Sequence, residues 1–599
     1  MKSKAFIYAG CLFVSLLGIH SCLDYADPGQ ELGPNEVIVD DVIYQGEADK
    51  IDYKRDFTEE GVKAAVKTLQ TNFSQALGGE YAMRGGKEAQ FPGSHAYQRQ
   101  FSLGPDLYAQ YFVVPHHDFM YGTLTSTYYV SKEFNPGPFS SYEIVKNAIV
   151  PLINHPQIDS IPEIKAINLL LFDFSSQEVA DLYGPLPYVD YKANVTTNPF
   201  TYNDLRTIYV NIEANLDTIV NCLKYFDEHR PNWYKQQVHN VLFRYTMVTQ
   251  DWWQNREGME SWIRLANSLK LRMAMHMVKV DPELARQWAE EAVADGVIES
   301  SDRQVMLQPM MIGFTNPLLE IANSWGDLRL SASFESLLKS LNHPYVDNVF
   351  AKNSDPLIHK STGEVMAADS AVVGIRSGVA TGIGQSYANN PQIGYSSLNA
   401  ENIANAPLYI MKWAEVDFLR AEGALRGWNM GGSAEFFYNR GIENGYLLDP
   451  MVVGSGDWYT EAMEKYMSQT EPTPFTYRDP LGDSPDMPSV TTIGVKWDES
   501  DALETKLEKI ITQKYIALFP YSYEPWVDLR RTGYPKLFPV LNTQDGDGSI
   551  LEGEMIRRMP FPGTDDASLL DIQTTGLNAL GGADEQATRL WWDVNTSNF

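Results

Sequence analysis

Cysteine is almost absent: Cys11, Cys22 and Cys222 are the only three in 599 residues. If the first 21 residues are removed and Cys22 is modified, no intrachain disulfide is possible, and the fold must rest on its core. Positive charge is also short, with 47 Lys and Arg against 77 Asp and Glu and a formal charge of −30. That balance excludes DNA or RNA as a partner, because neutralising phosphates takes an excess of basic side chains. No Gly-x-Ser-x-Gly elbow, Walker-type phosphate loop, Gly-x-Gly-x-x-Gly or His-Glu-x-x-His occurs, so the common catalytic and cofactor signatures are missing. His116-His117-Asp118 is the densest histidine cluster, but adjacent side chains of an extended segment face opposite ways and do not share a metal. No cofactor is expected. What is plentiful is tyrosine and tryptophan, 33 and 13 against 26 Phe. These rings combine an apolar face with a polar handle and suit binding surfaces as well as cores.

The one sustained apolar run lies at the N-terminus. Lys2 and Lys4 precede Ala5 to Gly18, and Ser21 precedes Cys22. A basic start followed by a run too short to span a bilayer is a secretory signal. The small residue before Cys22 resembles a bacterial lipoprotein cleavage site, which makes Cys22 the acylated anchor. Several acyl chains, at ~0.8 kcal/mol per buried CH₂, hold a protein stably on a membrane. A signal peptide over 1–21, a polar tether and lead-in strand over 22–55 and a single domain over 56–599 are the expected divisions.

Beyond the tether, helical periodicity dominates. Leu205, Ile208, Ile212, Leu216, Ile219 and Leu223 form an amphipathic stripe after Thr201, whose spacing to Asp204 suggests a capping box. Cys222 falls in that segment and is expected to be a buried, inert thiol. Similar stripes run over Val62–Leu77, Ile164–Leu182, Trp262–Met277, Pro282–Ala294, Trp413–Leu425 and Leu503–Leu518. Residues 262–296, with Asp281 as N-cap and Pro282 in the first turn, and residues 411–444 read as helical hairpins. Each spans about 34 residues, the length of a tetratricopeptide unit, without a strict repeat. The fold class expected is therefore mostly α: a scaffold of degenerate tetratricopeptide-like hairpins, with minor β and loop-rich insertions near 78–139, 343–407 and 445–500.

One segment has the look of a metal loop. Asp545, Asp547, Gly548, Ile550 and Glu554 stand at offsets like those of an EF-hand, with Thr543 in place of the leading Asp. Pro560 and Pro562 oppose an exiting helix, and an Asp-Gly turn between two strands is the plainer reading.

Eight segments, in order, resemble one family: Glu178–Tyr191 (EVADLYGPLPYVDY), Trp262–Met277 (WIRLANSLKLRMAMHM), Ser324–Ala332 (SWGDLRLSA), Glu415–Gly432 (EVDFLRAEGALRGWNMGG), Ile510–Pro520 (IITQKYIALFP), Pro525–Val540 (PWVDLRRTGYPKLFPV), Ile556–Pro562 (IRRMPFP) and Thr588–Asp593 (TRLWWD). Their types and order look like the SusD/RagB outer-membrane lipoproteins of Bacteroidetes, in the SusD-like branch. The resemblance implies four tetratricopeptide-like helix pairs, a looped binding lobe and no catalysis. It further implies a lipid-anchored position at the cell surface, where such a protein captures glycan and delivers it to a SusC-like TonB-dependent transporter. Asp24 and Asp27 look like the surface-export region of such lipoproteins. The motifs themselves read as architecture: Trp262, Leu265, Leu269 and Met273 as core, and Arg530 and Arg531 as ion-paired beside Asp528. A peptide-capturing member of the family and, from another class, a surface glycosidase are the alternatives.

Because binding residues vary with ligand, the site must be argued from chemistry. A sugar ring packs its C–H face on Trp or Tyr and gives its hydroxyls to amides, carboxylates or guanidinium groups. Rings in irregular segments are the candidates: Tyr81, Tyr97, Tyr128, Tyr129, Trp325 and Trp458, with Arg84 and Gln98 as polar companions.

Overall fold

Thr58 accepts the amide of Gly61 on its side chain and opens α1 (Glu59–Thr68). The stripe over 62–77 predicts one helix. The backbone instead leaves helical geometry at Leu69, with ψ near 2°, and restarts as α2 (Gln70–Ala82). The computed structural model describes residues 42–86, 91–117, 128, 133–242, 259–301, 304–382, 389–447, 457–563 and 565–599. The N-terminal segment with Cys22, and with it most of the tether, lies outside them.

The long helices that follow are α3 (Gly137–Ile153), α4 (Pro162–Tyr183), α5 (Leu205–His229), α6 (Glu260–His276), α7 (Pro282–Asp295), α8 (Trp413–Leu425), α9 (Ala434–Leu447), α10 (Asp457–Met467), α11 (Leu503–Leu518) and α12 (Tyr523–Thr532). Asp204, not Thr201, caps α5, its carboxylate accepting the Thr207 amide at 2.9 Å. Asp281 caps α7 as expected, with Pro282 in the first turn, and Gly296 at φ +97° ends it in a conformation closed to other residues. Ser433 accepts the Phe436 amide at the start of α9.

Consecutive helices pack in pairs, α2 on α3, α4 on α5, α6 on α7 and α8 on α9, and the pairs pack on one another through α3–α4, α5–α6 and α6–α8. The fold is mostly helical, as its periodicity implies. The strand pairs among the described residues are short antiparallel ribbons, such as Phe112–Val113 with Arg329–Leu330 and Val305–Leu307 with Leu408–Met411. Among the described residues no helix is long and apolar enough to cross a membrane.

Helix α4 is the hub: every residue from Pro162 to Tyr183 is buried, the charged ones included. A helix buried all round is normally apolar, and charged groups survive there only when paired. Glu163 takes the Arg230 guanidinium (2.9 Å), Glu178 takes Arg84, and Asp173 takes the Tyr188 hydroxyl (2.7 Å). Asp181 receives the Trp592 indole N–H at 2.7 Å, and the amide of Met559 donates to the Leu182 carbonyl at 2.8 Å. The last forty residues of the chain are thus stitched to its central helix. Ionic links also tie α6 to α8, where Arg272 grips Glu415 at 2.7 and 3.0 Å, and α12 to α8, where Arg531 grips Glu422 at 2.9 and 2.6 Å. Cys222 is fully buried on α5.

Candidate functional site

Two irregular segments far apart in sequence meet at the surface: residues 91–117 and residues 318–330. Each contains a π-helical turn, Gln98–Ser102 in one and Leu319–Ser324 in the other. Such turns widen the helix by a residue, re-aim side chains, and recur at functional sites. In the second segment the Trp325 amide donates to Glu320 O, five residues back, at 2.8 Å. Gly326, at φ +73°, then reverses the chain so that the Asp327 amide reaches Ile321 O at 2.9 Å. The reversal leaves the Trp325 ring partly exposed at the tip, while Arg329, bonded to three carbonyls, holds the segment's base.

Opposite that tip the exposed His95 ring lies over Trp325, centroids 4.6 Å apart and planes 30° from parallel. The Ser94 hydroxyl donates to the exposed Glu320 carboxylate, and Phe91 stands nearby on the chain, 47% exposed. Beneath them Asp327 clamps the segments together: Gln98 Nε2 donates to Oδ2 at 2.6 Å, and His116 Nε2 lies 2.9 Å from Oδ1. Ring faces beside a carboxylate on a fixed base suit a ligand with apolar C–H faces and hydroxyl donors, which is the chemistry of a sugar.

The sequence candidates separate sharply. Tyr81 is 5% exposed with its ring edge-on to Phe91, and Tyr97 is 3% exposed against Phe101. Tyr128 is also buried, with its phenol raised by burial. None of the three offers solvent a ring face. Arg84 is committed to Glu178 and to the carbonyls of Met83 and Tyr409, and Gln98 to Asp327. Tyr129 lies outside the described residues. Trp458 stands on α10, and its side chain lies outside them too. Trp325 is the one candidate whose described side chain reaches the surface. Sequence reasoning missed His95, Phe91, Glu320 and Asp327. A search widened from Tyr and Trp to every ring in the Gly-Pro-punctuated stretch around Phe91-Pro92-Gly93-Ser94-His95 finds the first two.

The metal-loop candidates do not assemble. Thr543–Asp545 is a single 3₁₀ turn and not a link between two strands. Asp547 is occupied by the amides of Ser549 (2.9 Å) and Gln586 (2.6 Å), and among the described residues Asp545, Asp547 and Glu554 form no ligating group. The trio that does converge is Asp181, His276 and Glu524. Its imidazole stands between two carboxylates, Nδ1 3.1 Å from Asp181 and Nε2 3.0 Å from Glu524. Burial works against its charge, yet attraction to Glu524 and Asp181 outweighs this and raises its pKa to about 9. As it stands, the trio is an ion-pair knot joining α4, α6 and α12. Arg531 is paired as expected, with Glu422 and Asp528, whereas Arg530 has no carboxylate at ion-pair distance among the described residues.

Residues 55–593 match the family model described as SusD-like, Susd and RagB outer membrane lipoprotein. The chain belongs to the SusD-like family. A chitin-binding SusD homologue from Flavobacterium johnsoniae is 30% identical, with a TM-score of 0.70, and the alignment covers 89% of this chain and all of that one. A SusD homologue from Bacteroides vulgatus is 27% identical at TM-score 0.70, covering 90% of this chain and 100% of the other. One from Bacteroides uniformis is 25% identical at TM-score 0.70, covering 89% and 99%. No curated protein matches the chain. In this SusD-like chain the Trp325 tip is carried by segments outside the four helix pairs.

Proposed function

We propose that this protein is a non-catalytic, lipid-anchored glycan receptor of the outer-membrane surface, and that the Trp325–His95 tip with Phe91 and Glu320 is where the glycan binds. In this reading Cys22 carries the acyl anchor, and captured oligosaccharide passes to a SusC-like TonB-dependent transporter. The observation that carries it is the part-exposed Trp325 ring stacked with His95 on a base clamped through Asp327. Family membership and the chitin-binding relative support the ligand class. Each aromatic–sugar contact adds about 1 kcal/mol through the C–H face of the sugar, and the carboxylate fixes orientation through hydroxyls.

The test is calorimetry of a soluble Cys22→Ala protein against a panel of oligosaccharides that includes chitin fragments. A saccharide that binds should lose at least tenfold in affinity, about 1.4 kcal/mol, with Trp325→Ala. Chromatography of the same mixtures should show no product. Unchanged affinity in Trp325→Ala removes the tip from the site. Cleavage abolished by one Asp or Glu substitution overturns the receptor reading, and binding of peptides but no saccharide replaces the glycan with a peptide. Labelled palmitate retained by the full-length Cys22→Ala chain would overturn the anchor.

A further inference from the structure

A cavity of about 270 Å³ opens where the end of α12, the turn after α6 and the C-terminal segment Val594–Asn598 meet. Five cations line it, Lys279, Arg530, Arg531, Arg557 and Arg589, against one lining carboxylate, Glu504, in a chain whose net charge is −30. Three of the five are paired. Arg531 holds Glu422 and Asp528, and Arg557 and Arg589 share Asp593 at 3.4 and 2.7 Å. Glu504 is taken by the Tyr534 hydroxyl (3.0 Å) and the Asn598 amide (3.1 Å).

The other two cations have no carboxylate at ion-pair distance among the described residues, although Asp593 acts on both from farther off. Lys279 donates to the Thr596 carbonyl at 3.0 Å. Arg530 lies between the indoles of Trp526 and Trp592, 3.9 and 4.8 Å from their centroids, and donates to two carbonyls, those of Trp526 and Arg557. Its Nη2 is buried without a hydrogen-bond partner. A buried donor left unmade and like charges gathered in a half-closed space both cost free energy. Burial, with Arg531 and Arg426 adding repulsion, lowers the Lys279 ammonium to about 8 although Asp593 and Glu504 oppose the shift. The five lining cations outnumber the one lining carboxylate even with Asp593 behind them, and the cavity has room for an anion with its first waters.

We propose that this cavity binds a tetrahedral oxyanion, a sulfate or phosphate group, through Lys279 and Arg589, over the buried charge of Arg530. The group arrives either as the free inorganic ion or as an ester on a sugar, and the two sources share the same donors.

Thermal unfolding of the soluble Cys22→Ala protein is followed in sodium sulfate, sodium phosphate and sodium chloride at matched ionic strength. Sulfate or phosphate should raise the midpoint by several degrees and chloride should not. Lys279→Met and Arg589→Met should each weaken that response at least tenfold in apparent affinity. A sulfated oligosaccharide is run beside its unsulfated counterpart: a response to the sulfated form assigns the ester, and a response to the inorganic ions alone assigns the free ion. A second measurement needs no variant. With lysines labelled by ¹³C reductive methylation, the Lys279 resonance should titrate near pH 8 and move upward by about one unit in saturating sulfate. A midpoint that rises equally in chloride, or a Lys279 resonance that ignores sulfate and phosphate, overturns the proposal.

Discussion

Arg84 and Glu178, 94 positions apart, close a two-armed ion pair inside the protein: Nη1 lies 3.0 Å from Oε2 and Nη2 lies 2.8 Å from Oε1. The guanidinium also stacks 4.7 Å from the Tyr521 centroid, and both charged groups are almost wholly buried. Replacing Arg84 takes from Glu178 its close cationic partner and leaves it the Tyr521 hydroxyl at 2.6 Å and Arg272 at 3.9 Å, inside a helix buried along its whole length. Arg84→Gln should therefore cost about 3–5 kcal/mol of stability, read from urea denaturation. A variant as stable as the parent, with weakened saccharide binding, would return Arg84 to the ligand.

The His276 knot makes stability depend on alkaline pH. Its pKa is about 9 in the folded protein and near 6.5 in the unfolded chain, so its contribution is complete below about pH 6.5. That contribution is lost as pH rises through 9, and it amounts to on the order of 3 kcal/mol. Lys279 titrates in the same window with the opposite sign, since its folded pKa is depressed. Selective ¹⁵N-histidine spectra separate the two: at pH 7.5 both His276 ring nitrogens should be protonated. A neutral tautomer there would refute the ion-pair description.

Trp325 and Tyr97 should behave as opposites. Trp325→Ala removes a part-exposed ring and should lower the unfolding free energy by about 1 kcal/mol or less. Tyr97→Ala empties a buried position beside Phe101 and should cost about 3–5 kcal/mol. Denaturation midpoints of the two variants decide between ring-as-surface and ring-as-core.

Cys222 should be silent to thiol reagents. It is fully buried on α5, and burial, with Glu163 adding to it, raises its thiol far above the ordinary range, so almost no thiolate forms. In a protein with Cys11 and Cys22 replaced by alanine, Ellman's reagent should react only after denaturant is added. Cys222→Ser, which buries a hydroxyl in an apolar stripe, should cost about 1–3 kcal/mol.

What could be read in advance was whatever a short-range pattern carries. The α5 stripe, the Asp281 and Pro282 start of α7 and the burial of Cys222 follow from residues within a few positions of one another. Tyr81, Tyr97 and Tyr128 lie in a stretch without sustained sequence period, yet Tyr81 sits on α2 and Tyr97 on a short helical turn, and lack of period is not the same as exposure. Their rings are covered by partners such as Phe91 and Phe101, and periodicity says nothing of such contacts. Arg84 shows the same limit at longer range, because Glu178 is invisible from its own neighbourhood. The Trp325 tip depends on Asp327 meeting Gln98 and His116, pairings across more than two hundred residues.

The bond from the Trp592 indole to Asp181 joins positions more than four hundred apart. Asp181 also takes the Tyr209 hydroxyl and the His276 imidazole, so Trp592 adds a third donor to a carboxylate at the centre of the fold. Damage to the segment around Trp592 is therefore felt in the middle of the protein and not at its edge.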